Sequence, residues 1–95
     1  MKTCYISGKI TGLPKEEYTD NFELAESVLR ATGFNAINPV KLWHPVKCWI
    51  GYLAVDILVL LFCDCIYFMD NWTESKGSIV EYKVSMFLRK KIVQL

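Results

Sequence analysis

Histidine is nearly absent from this 95-residue sequence, with His44 the single example. Cysteine occurs four times, but without the paired spacing a structural metal needs. Cys4 and Cys48 stand alone, and Cys63-Asp64-Cys65 is one C-x-C inside an apolar run. A tetrahedral zinc site is therefore not expected, and no other metal or cofactor is implied. Charge of one sign is also missing. Eleven Lys and Arg against ten Asp and Glu leave a net charge of +1, which offers no electrostatic footprint for duplex nucleic acid or an anionic membrane. Neither a Walker A loop nor a G-x-G-x-x-G turn is present. No repeat, linker or low-complexity tract divides the chain. Strand-like residues begin almost at Met1, so no signal peptide is expected, and the cysteines read as small buried thiols in a reducing cytoplasm.

The long apolar run at Ile50 to Met69 has the length of a membrane span. It carries Asp56 and Asp64, each costing roughly 3 kcal/mol or more near a bilayer centre. The run is better divided into a buried helix and a central strand. Apolar residues are plentiful otherwise, at 53% of the chain with a mean hydropathy of +0.22. A domain this small has too much surface to hide them all. Some should face another copy of the chain, giving a homodimer or higher homo-oligomer that uses the outer face of the helix from about Trp49 to Phe62.

Strands and helices alternate along residues 1–95, which read as a single domain. Lys2 to Ile6 is a strand candidate stopped by Ser7-Gly8. Asp20 resembles an N-cap, with Glu23 completing a capping box, and Phe22, Ala25, Val28 and Leu29 then form one apolar face. Gly33 marks that helix's end. Phe34 to Ile37 is a second strand, closed by Asn38-Pro39. A loop through His44-Pro45 leads to the Trp49–Phe62 helix, and Cys65 to Met69 is apolar throughout, as suits a strand buried on both faces. Ser75 opens a third helix whose expected core face is Val80, Val84, Phe87 and Leu88, and Lys91 to Leu95 is the last strand. The pattern predicts an α/β fold of the three-layer Rossmann or flavodoxin-like kind, with a four-stranded parallel sheet of order 2-1-3-4. Its switch point falls between the first and third strands, where such sheets bind ligands beyond their carboxyl ends. Ser7–Gly12 and Asp70–Glu81 enter that crevice.

Two carboxylates there lack local partners. Asp56 has Tyr52, Leu53, Val59 and Leu60 at helical spacing, and Glu81 has Gly77, Ser78, Val84 and Ser85. A carboxylate on a packed helix with no cation nearby is unfavourable unless solvent, a tertiary ion pair or a ligand meets it. All three readings stand on spacing alone. Ser75-x-Gly77 sets a capping serine and a glycine at a helix start, an arrangement that suits a phosphate or sugar hydroxyl but equally serves ordinary capping.

Taken together, these segments resemble the nucleoside 2-deoxyribosyltransferase-like superfamily, in particular its short DUF4406-type branch. The residues concerned are Tyr5-Ile-Ser-Gly-Lys-Ile-Thr-Gly12, Asn21-Phe with Ala25-Glu26 and Leu29-Arg30, Ile37-Asn-Pro39, the Asp56–Asp64 interval, and Trp72-x-x-Ser75-x-Gly77-x-x-x-Glu81. The last two are also similar to the 2'-deoxynucleoside 5'-phosphate N-hydrolases. The resemblance implies cleavage or transfer at the N-glycosidic bond of a (deoxy)nucleoside or nucleoside 5'-monophosphate. In those enzymes the glutamate matching Glu81 is the nucleophile, the aspartate matching Asp56 handles the proton on the departing base, and the tyrosine matching Tyr5 lies beside the nucleophile. Substrate contacts are expected from Ser7, Gly8, Lys9, Thr11 and Gly12, and from Asp70, Asn71, Trp72, Ser75 and Gly77. Glu81 should stay ionised, and Asp56 needs burial to raise its pKa. Lys9 and Thr11 stand where the hydrolases carry other residue types, which leaves nucleoside and nucleotide both open. A non-catalytic module that binds or senses a nucleotide in the same crevice is the alternative.

Overall fold

The chain runs β1 (Thr3–Ser7), α1 (Lys15–Ala31), β2 (Asn35–Ile37), α2 (Trp49–Leu61), β3 (Cys65–Phe68), α3 (Lys76–Phe87) and β4 (Lys91–Val93). Short 3-10 turns lie at Pro39–Lys41 and Trp72–Glu74. The structure is a computed structural model that describes residues 2–44 and 48–93. Its sheet has the order β2-β1-β3-β4, and every neighbouring pair is parallel. Pro45 and the expected end of the last strand at Gln94 and Leu95 lie outside the described residues.

The strand alternation sorts the core into two layers. Cys4 and Ile6 of β1, with Cys65 of β3, pack with Phe22, Ala25 and Leu29 of α1. Tyr5 and Ile66 face the other way, onto Leu60 of α2 and Val84 of α3. Register keeps the sets aligned, with Cys4 opposite Cys65 and Tyr5 opposite Ile66. Phe22 and Leu29 are fully buried, and each contributes about 1.5–3 kcal/mol by leaving water. The layering follows from chain direction. The step from β1 to β2 runs one way across the sheet, while the steps β2 to β3 and β3 to β4 run the other way. Right-handed crossovers therefore place α1 on one face and α2 and α3 on the opposite face. The chain reverses direction between β1 and β3, and the site opens there.

Four local expectations need correction. Helix α1 begins at Lys15, behind Pro14, and not at a capping box on Asp20, which lies exposed inside the helix. Pro14 supplies the stop, and Glu16 and Glu17 complement the positive end of the helix. Val28 is more exposed than a core position requires. Helix α3 is rotated from its expected face. It buries Ser78, Glu81 and Ser85, whereas Phe87 is 86% exposed and Leu88 also reaches solvent. The buried polar stripe is tolerated because each member is hydrogen-bonded, Ser85 to the Glu81 carbonyl at 2.7 Å and the others to β1. Cys4, Cys63 and Cys65 are buried free thiols, but Cys48 is exposed. Among the described residues no helix is long and apolar enough to cross a membrane.

Both α1 and α3 end in the same hydrogen-bonded wrap. Gly33 takes the left-handed conformation after α1 (φ +95°), with Phe34 N–H donating to the Leu29 carbonyl at 3.0 Å. After α3 the equivalent position is Arg89 (φ 57°), a side chain where glycine is the relaxed choice.

Candidate active site

At the carboxyl end of β1 the buried polar stripe of α3 meets the sheet. Ser75 caps α3, its Oγ accepting from the Ser78 N–H at 3.1 Å, and this fixes the first turn against β1. Two turns on, Glu81 lies 5% exposed. Tyr5 donates its phenol proton to Glu81 Oε2 at 2.7 Å, and Ser7 donates to Oε1 at 2.7 Å. The Ser7 and Ser78 hydroxyls are 2.8 Å apart, and Ser78 also reaches the Gly8 carbonyl at 3.2 Å. A hydroxyl carries one proton. With Ser7's committed to Glu81, its oxygen is left to accept, and the single Ser78 proton is divided between Ser7 Oγ and the Gly8 carbonyl. Every oxygen in this row then has a partner, which holds Glu81 in one orientation.

The second carboxylate comes from α2. Asp56 Oδ1 lies 2.9 Å from His44 Nε2, and both side chains are largely buried. The His44 ring rests edge-on against Tyr52, with centroids 4.7 Å apart. Asp56, His44 and Glu81 all line one cleft of about 490 Å³, between the end of β1 and the N-terminal halves of α2 and α3. Its remaining wall is apolar and aromatic, with Tyr18 and Phe22 from α1 and Trp49, Tyr52 and Leu53 from α2. Lys15 is the one ammonium group lining it among the described residues. The size and the mixture of aromatic wall with a few polar groups suit a small organic molecule.

Burial dominates the electrostatics. It pushes Glu81 up to about 7, against the hydrogen bonds from Tyr5 and Ser7, and the nearby Asp56 adds to the rise. Burial also raises Asp56, while the hydrogen bond and charge of His44, and then Tyr5, pull it back. Tyr5 is held well above the usual phenol range by burial and by Glu81 and Asp56. Its hydroxyl is hydrogen-bonded to Glu81 Oε2. Both carboxyls therefore lie above their ordinary range, with burial the first cause in each.

Of the residues singled out in the sequence, Tyr5, Ser7, Gly8, Thr11, Asp56, Ser75, Gly77 and Glu81 line this cleft. Gly8 is needed for its lack of a side chain, since a Cβ there would sit 2.6 Å from Met69 Sδ. Lys9, Gly12, Asp70, Asn71 and Trp72 do not line it. The Lys9 ammonium lies 3.6 Å from Glu74, and its backbone N–H donates to Asn71 Oδ1 at 3.0 Å, so this pair ties two loops together. Gly12 lies on the exposed turn before α1. Trp72 stacks on Tyr82 (centroids 5.1 Å apart, planes 26° apart) and, with Asp70, borders a separate hollow beside β4.

His44 and Ser78 were not foreseen. His44 sits twelve residues before Asp56 in a loop, where no helical spacing links them. Ser78 was legible in principle, because Ser75, Ser78, Glu81 and Ser85 fall at intervals of three, three and four, a polar stripe at helical period. Among the described residues no three His, Cys, Asp or Glu side chains gather so as to hold a metal ion. The sequence model of the family described as "Domain of unknown function (DUF4406)" matches residues 2–94. No curated protein and no solved structure matches the chain.

Proposed function

The chain belongs to the DUF4406 family, and we propose that it cleaves or transfers the N-glycosidic bond of a (deoxy)nucleoside or nucleoside 5'-monophosphate, as the nucleoside 2-deoxyribosyltransferase-like enzymes do. The observation that carries this reading is the pair of buried carboxylates in one cleft, Glu81 held by Tyr5 and Ser7, and Asp56 held by His44. An oxocarbenium-like transition state needs a carboxylate against the anomeric carbon and a proton source by the departing base. Ionised Glu81 attacks the anomeric carbon. The bond to the base nitrogen breaks with its electron pair, and Asp56 supplies the proton. Water, or a second base in a transfer, then displaces the ester, and Glu81 leaves as a carboxylate.

Tyr5 and Ser7, each donating to a different Glu81 oxygen, are suited to orient the nucleophile. The aromatic wall from Tyr18, Trp49 and Tyr52 suits a planar base, and the start of α3 at Ser75 and Gly77 suits the sugar or phosphate end.

The test is release of free base from the four deoxynucleosides and their monophosphates by the purified protein. Turnover that disappears in Glu81→Gln supports the reading. Full turnover in that variant contradicts it. Tight binding of one substrate with no cleavage of any would favour the sensing module, and that binding should weaken in Ser75→Ala.

A further inference from the structure

His44 is a buried titratable side chain of the cleft to which the scheme above gives no step of its own. It is 7% exposed, its Nε2 sits 2.9 Å from Asp56 Oδ1, and Tyr52 packs against the ring. That placement restricts both partners. Asp56 cannot rotate without breaking the contact, and one of its oxygens is already occupied.

We propose that His44 is a positioning residue for Asp56, holding one carboxyl oxygen so that the other can give a proton to the departing base and later take one from water. This rests on the glycosidase reading and deepens it. In the first half-reaction the bond from the anomeric carbon to the base nitrogen breaks and its electron pair stays on the base, which takes the Asp56 proton. The anomeric carbon bonds to a Glu81 oxygen. In the second half-reaction a water oxygen bonds to that carbon, the ester bond breaks with its electrons returning to Glu81, and Asp56 takes the water's proton. The same carboxyl must be an acid and then a base.

Such a group works only if neither form is strongly favoured. Burial favours the protonated form of Asp56, and an imidazole N–H on Oδ1 favours the ionised form. The other titratable groups facing Asp56 are Tyr5 from β1 and Glu81 from α3. Tyr5 also favours the ionised form, and the negative charge of Glu81 opposes it. Without His44, burial and Glu81 prevail, and Asp56 stays protonated to higher pH. The acid step survives, while the base step fails at neutral pH.

The experiment compares His44→Phe, which keeps an aromatic ring against Tyr52, with His44→Gln, whose amide N–H can reach the same oxygen. Carboxyl ¹³C titration, assigned through Asp56→Asn, reads the Asp56 midpoint directly. It should rise in the phenylalanine variant and return towards the wild-type value in the glutamine variant. At pH 7 the first-turnover release of base should persist in His44→Phe while steady-state turnover drops about tenfold, with glycosyl-enzyme accumulating. His44→Gln should recover most of that turnover. An Asp56 midpoint unchanged by His44→Phe overturns the inference, as does an equal fall in first-turnover and steady-state rates. A midpoint that moves in a protein cleaving none of the eight substrates supports the His44–Asp56 coupling and overturns the glycosidase reading instead.

Discussion

Replacing Glu81 with glutamine should stabilise the protein at high pH and cost it about 1 kcal/mol in acid. The carboxylate is 5% exposed and pushed up to about 7 from an ordinary value of 4.5. A group whose folded pKa lies above its unfolded one binds its proton more tightly in the native state. Its favourable contribution is complete below about pH 4.5 and is lost as pH rises to about 7. At pH 8 the folded protein therefore carries a burden of about 3 kcal/mol from forcing this buried carboxyl to ionise. Glutamine removes the charge but keeps the shape. Its amide nitrogen must face either Tyr5 or Ser7, and that hydroxyl has to turn and accept, a loss of about 1 kcal/mol. The net expectation is a gain of about 2 kcal/mol at pH 8, or about 10 °C in Tm for a domain of this size. Urea or thermal unfolding followed by circular dichroism, for both proteins at pH 4.5 and pH 8, reads the difference directly. A variant less stable than wild type at pH 8, or a difference that does not vary with pH, would refute the account of Glu81 as a strained, buried acid.

Other perturbations follow from particular contacts. Arg89→Gly should raise stability by about 0.5–1 kcal/mol, since the residue sits at φ 57° after α3; an unchanged urea midpoint would contradict this. Gly8→Ala should destabilise by about 1–3 kcal/mol, because the new methyl meets Met69 Sδ at 2.6 Å; a neutral result would mean that Met69 moves freely. The chain leaves Ile50, Leu58 and Leu61 of α2 exposed, with Phe62 just after it, so sedimentation should show a dimer or larger species, and a monomer at high micromolar concentration would count against that expectation.

The fold was legible because its signals are local and mutually consistent. Apolar strands, a glycine after α1 and a proline after β2 fix the alternation, and alternation with right-handed crossovers allows few sheet orders. The start of α1 was misplaced because Asp20 and Glu23 imitate a capping box, while Pro14 gives an equally valid start six residues earlier than Asp20 suggests. The α3 face failed for a physical reason. Counting apolar residues assumes that burial follows hydrophobicity, yet this helix buries Ser78, Glu81 and Ser85 because β1 and its own backbone supply their hydrogen bonds. The same polar row builds the site. Asp56 was correctly read as lacking a partner on its own helix; its partner, His44, reaches it from a loop, a contact that spacing does not encode.

The central claim is that Glu81 bonds to the sugar. Rapid quenching of the protein with a deoxynucleoside or its monophosphate, followed by intact-mass and peptide analysis, tests this most directly. The account predicts a deoxyribosyl ester on Glu81, present in the wild type, enriched in His44→Phe and absent from Glu81→Gln. Release of base with no ester on Glu81, or at an undiminished rate in Glu81→Gln, would contradict it.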